Sequence, residues 1–173
     1  MLLRKRFAFS KKTIVVVTVV TATLVCLIAG ILVHQTNIAK DAAEKSTVHP
    51  DYSTVLPNGK SIDMLGGWTR ISPAESAPVY AYTDTITNVP VTVSEQPLPD
   101  SFKNDVSNQV ATLAKSYSAT DQITASNNIK VYVGTSSKGP QSVILTKNNL
   151  LILIKSQKKI DDSSWKKYVD SLN

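Results

Sequence analysis

Twenty-one consecutive residues without a charge, Thr13 to Val33 (TIVVVTVVTATLVCLIAGILV), constrain this chain more than any other stretch. Rising 1.5 Å per residue, such a run spans roughly 30 Å as a helix, the thickness of a bilayer's hydrocarbon core. The sequence therefore predicts a transmembrane helix over residues 13–33, with the lipid bilayer as its partner. A cleavable signal peptide fits less well, because it has an apolar stretch of ~7–15 residues and a small-residue cleavage site directly after it. Here His34-Gln35-Thr36-Asn37 follow, and the nearest small residues lie around Ala39 to Ala43. Cys26 sits inside the run, with Val25 adjacent and further apolar residues behind it. That setting suits a small buried side chain better than a lipidated one. A pilin-type leader would need a Gly before the apolar run and a Glu shortly into it, and neither is present.

Orientation follows from the flanking charges. Arg4, Lys5, Arg6, Lys11 and Lys12 precede the run, whereas Lys40 and Lys45 after it are countered by Asp41 and Glu44. The positive-inside bias places residues 1–12 in the cytoplasm and the rest of the chain outside. Charge is distributed accordingly: residues 1–48 hold 7 Lys/Arg and 2 Asp/Glu, and the remainder hold 12 and 11. The basic character thus belongs to the tail and anchor, and the outer part is nearly neutral. A nucleic-acid-binding domain would carry a basic face, so no nucleic-acid partner is expected. The outer part has no cysteine and a single histidine, His49. It must be stabilised by packing, with no disulfide, and neither a metal nor a cofactor is expected. None of the ten Asn residues begins an Asn-x-Ser/Thr sequon, which leans towards a bacterial envelope protein.

Residues 34–50 read as a polar linker, helical to about Ser46, and residues 51–173 as one extracytoplasmic domain. Within it, Pro57-Asn58-Gly59-Lys60 between Ser53–Leu56 and Ser61–Leu65 predicts a hairpin. Val79–Ile86 and Val89–Ser94 predict a second, turning at Thr87-Asn88. Pro90 cannot donate to a ladder, which puts that strand, or its first end, at an edge. Phe102, Val106, Val110, Leu113 and Tyr117 recur at helical spacing behind Asp100 or Ser101 as a cap. Ile129–Gly134 and Ser142–Lys147 read as strands. Leu150–Ile154 is apolar throughout and belongs in the centre of a sheet. Asp161 caps a final helix, with Ile160 and Trp165 as a hydrophobic staple and Trp165, Tyr168, Val169 and Leu172 as its buried stripe. The fold class is α+β: an N-terminal transmembrane helix, then one mainly antiparallel sheet with two packed helices. The order of elements over residues 66–173 resembles the small α+β outer domains that follow a single membrane helix in bacterial proteins of unknown function. The PsbP-like fold has a comparable order and resembles this chain at Gly67-Trp68. The resemblance is one of pattern and carries over no functional residue.

No constellation of catalytic residues rises above composition. His49 lies in the linker, where nothing holds it in a triad. Ser-x-x-Lys occurs at Ser156/Lys159, Ser163/Lys166 and Ser164/Lys167, about as often as 19 serines among many lysines produce by chance. Trp68, Tyr80 and Tyr82 form the one cluster worth following, since Tyr80 and Tyr82 share a strand face. Core packing is the simpler role for them, and a recognition surface for a glycan or peptide the sharper one. The expected function is a membrane-anchored binding or accessory module of the cell envelope with an envelope protein or glycan as partner, and not an enzyme. Two alternatives are a hydrolase or transferase using carboxylates such as Asp84 or Glu95 in a cleft, and a component of a membrane signalling complex.

Overall fold

The computed structural model describes residues 48–173. The run expected to span a membrane, the tail expected to be cytoplasmic, Cys26 and the part of the linker expected to be helical lie outside the described residues. Seven strands, β1 (Thr69–Arg70), β2 (Tyr80–Ile86), β3 (Val89–Pro97), β4 (Asp121–Thr124), β5 (Lys130–Thr135), β6 (Gln141–Lys147) and β7 (Leu150–Ser156), form one sheet. Their order is β1-β2-β3-β7-β6-β5-β4, and every neighbouring pair is antiparallel. Helix α1 (Val106–Ser116) sits in the crossover from β3 to β4, and α2 (Asp162–Ser171) follows β7. The class is therefore α+β, with one antiparallel sheet and two helices.

Leu150 to Ile154 occupies the fourth of seven positions, and all five residues are buried. Because side chains alternate across a strand, Leu151 and Leu153 join Val110, Leu113 and Phe102 on the α1 face. Leu150, Ile152 and Ile154 join Trp165, Tyr168, Val169 and Leu172 on the α2 face. Both helices thus fix the centre of the sheet from opposite sides. The cap at Asp161 forms as the sequence predicts, its side chain accepting from the Ser164 N–H at 2.9 Å. Ile160 and Trp165 meet in one core cluster beneath it. The turns at Thr87-Asn88 and Asn148-Asn149 have both residues at positive φ, the geometry that lets two-residue loops close a twisted hairpin.

Two expectations change, one holds in its narrower form, and one strand is new. The first hairpin is absent. Lys60 N–H donates to the Pro57 carbonyl across a turn in which Gly59 alone has positive φ, at +77°. A turn of that kind splays its flanks instead of pairing them. Asp63–Leu65 winds into a 3-10 turn, and Leu56 exchanges two backbone hydrogen bonds with Asn173. The Pro90 strand is interior, between β2 and β7, and the edge position holds for its first end alone: Val89 and Pro90 pair only with β2, and register with β7 begins at Val91. The cap of α1 is Asp105, accepting from Asn108 N–H at 3.3 Å, while Asp100–Phe102 forms a separate 3-10 turn. Finally, β4 was invisible in the sequence, since of its residues only Ile123 is even half-buried.

The crossover leaving α1 bends at Ser118 (φ 56°) and lies directly on β5. A Cβ added at Gly134 would stand 2.8 Å from the Ser118 carbonyl oxygen and 2.9 Å from Ala119 Cα, both backbone atoms. Gly134→Ala should therefore destabilise the domain by about 1–3 kcal/mol. Urea denaturation measures this, and a change inside about 0.5 kcal/mol, as for an ordinary surface site, would show that the crossover can yield.

Candidate functional site

Trp68, Tyr80 and Tyr82 do come together. The Trp68 ring meets Tyr82 edge-on with centroids 5.2 Å apart, and Tyr80 at 6.5 Å. Their exposures are 9%, 7% and 2%. They point to the α2 face, where the segment Tyr52–Pro57 and the 3-10 turn at Asp63–Leu65 join them in the core. An exposed aromatic recognition surface is thus not what these residues form. Edge-to-face packing contributes about 0.5–1.5 kcal/mol per pair beyond area burial, and core packing is their place.

The two carboxylates share that face. Asp84 is saturated: it is paired with Lys60, accepts from the Tyr168 hydroxyl at 3.1 Å and accepts from Thr85 N–H at 2.7 Å. Glu95 is wholly buried. Its Oε2 accepts from Val55 N–H at 3.1 Å, whereas Oε1 has no partner among the described residues. Burial raises its pKa to about 7, with the Val55 N–H pulling the other way. Asp84 and Glu95 lie in the core and line none of the grooves described below.

The serine–lysine spacings also dissolve into local structure. Ser163 and Ser164 hydroxyls donate to Asp161 at 2.5 and 2.8 Å, which holds that carboxyl well below the usual range. Ser156 donates to the Lys158 carbonyl at 2.5 Å. His49, near the end of the linker, is exposed.

The open surface features flank α1. Where α1 ends, the β5–β6 turn and the last residues of β7 enclose a groove of about 430 Å³ lined by Tyr117, Ser118, Thr135, Ser142, Lys155 and Gln157 among others. Its polar groups are hydroxyls, two amides and one ammonium. Lys155 forms no ion pair among the described residues, and partial burial lowers its pKa. At the other end of α1, a groove of about 360 Å³ is lined by Ser107, Asn127, Asn128, Lys130, Tyr132 and Thr146 among others. Lys130 there donates to the Ser107 hydroxyl at 3.5 Å. Sequence reasoning missed both grooves. One signal existed, Lys155 closing the Leu150–Ile154 run on the α1 side. Loop closure in three dimensions assembles the rest, and no spacing in the chain encodes it.

No family model, no curated protein and no solved structure matches this chain.

Proposed function

We propose that the chain is a membrane-anchored binding or accessory module of the bacterial cell envelope, spanning the bilayer once through residues 13–33. Residues 1–12 are cytoplasmic, and the α+β domain works outside, close to the membrane. The observation that carries this reading is the uncharged 21-residue run behind five cations, since few other segments of that length and flanking charge remain in water. The binding part draws support from the groove at the end of α1. Hydroxyl, amide and ammonium groups facing an open hollow supply hydrogen bonds to a polar partner such as an envelope glycan or protein.

Protease added to spheroplasts should digest residues 48–173. Survival of the domain until the cells are lysed would overturn the topology. In the same cells, a photo-crosslinker placed at Gln157 should yield a discrete adduct that Lys155→Met diminishes. No adduct from either groove would remove the binding part of the proposal.

A further inference from the structure

The segment Tyr52–Pro57 crosses the α2 face as a strap, and two of its attachments converge on one residue. The Tyr52 hydroxyl donates to the Glu95 carbonyl at 2.6 Å, and the Val55 N–H donates to the Glu95 carboxyl at 3.1 Å. The Tyr82 hydroxyl donates to the Val55 carbonyl at 3.4 Å. Val55 itself is fully buried. Beneath the strap, Glu95 lies between Tyr80 on β2 and Ile152 on β7 in register. The titratable groups facing it are Tyr52 from the strap and Tyr80 and Tyr82 from β2, with Asp51 beside Tyr52 and Asp84 and Tyr168 beyond Tyr82. None of these brings a positive charge. The cations of this face are engaged elsewhere: Lys60 with Asp84, and Lys147 with the Val169 and Leu172 carbonyls.

A neutral carboxyl can sit in such a place, but an anion with one oxygen unpaired cannot be held there without water or a cation. The sheet is fixed on both flanks of Glu95 by β2 and β7. The strap is the covering element whose own hydrogen bonds end on Glu95, so its lifting lets water in.

We propose that Glu95 makes the strap a proton-controlled latch, closed while the carboxyl is protonated and released as it ionises. Tyr52 and Val55 are the parts that lift, and the chain between the sheet and residues 1–47 is the part that gains freedom. Linkage sets the direction. With the strap open, Glu95 is solvated and ionises near the ordinary glutamate value of about 4.3. With it closed, ionisation is delayed to about 7. Opening therefore releases a proton, and the open population rises about tenfold per pH unit between those values and levels off above them.

Amide hydrogen exchange of the full-length chain in detergent micelles, corrected for intrinsic rates, tests this. Protection of the Val55 and Leu56 amides should fall at least thirtyfold from pH 4.5 to 7.5, while β7 amides hold their protection. Glu95→Gln should abolish the dependence. Tyr52→Phe should lower strap protection at every pH and keep the slope, which separates loss of a bond from loss of the switch. Three results would overturn the proposal: strap protection that ignores pH, an unchanged slope in Glu95→Gln, or strap and β7 amides that exchange together with one slope.

Discussion

Trp165→Ala should destabilise residues 48–173 by about 3–5 kcal/mol, the range for removing a large aromatic from a core. Trp165 has no exposed surface, and it is the largest fully buried side chain on the α2 face. Its indole N–H donates to Gln141 Oε1 at 3.0 Å, and the Ile160 N–H donates to the same oxygen at 2.7 Å. The Gln141 amide in turn donates to the Thr135 hydroxyl at 3.0 Å. One indole therefore anchors α2, the approach to its cap and the start of β6 together. Trp165→Phe retains most of the volume and loses the hydrogen bond, so it should cost less, about 1–3 kcal/mol for the imperfectly filled site and the lost partner. Urea denaturation followed by circular dichroism measures both. Equal losses would mean that the polar junction dominates, and a loss under about 1 kcal/mol for alanine would mean that α2 is not seated by this ring.

Leu151→Ala and Leu153→Ala should each cost about 2–5 kcal/mol. Both side chains point towards α1. Both also border a small apolar hollow of about 20 Å³ shared with Leu113, Tyr117 and Ile144. Truncation there enlarges a void that already exists, and the β7 backbone is held by β3 and β6 and cannot collapse into it. The two substitutions touch common neighbours, so their effects in combination should depart from a simple sum. The same denaturation series decides this, and costs below about 1 kcal/mol for both would show that α1 packs loosely on the sheet.

The parts of this fold legible in the sequence are those governed by local chemistry. The Asp161 cap, the Ile160–Trp165 staple, the Asn-containing turns and the apolar Leu150–Ile154 strand each rest on residues a few positions apart. The parts that escaped depend on distant partners. The Pro57–Lys60 turn is where the sequence places it, but its flanks pair with the far end of the chain, because Leu56 meets Asn173. Glu95 reads as an ordinary carboxylate near a strand end. It becomes the most constrained polar group of the domain once the strap covers it. The groove beside Lys155 needs residues from α1, β5, β6 and β7 at once, and no periodicity announces such a meeting. Trp68, Tyr80 and Tyr82 were correctly grouped by spacing, yet spacing says nothing about what lies over a sheet face.

The strap also stores length. Tyr52 to Lys60 is nine residues laid across the domain and fastened along its course to Glu95, Tyr82, Asn173 and Asp84. A pull from the side of residue 48 would load these fastenings one after another, beginning at Tyr52, in the way adhesive tape peels. Each released residue adds up to ~3.3–3.6 Å of contour, so full peeling would extend the domain's reach by about 30 Å. The sheet, with both helices still seated, would remain behind as a rigid body at the end of a longer leash.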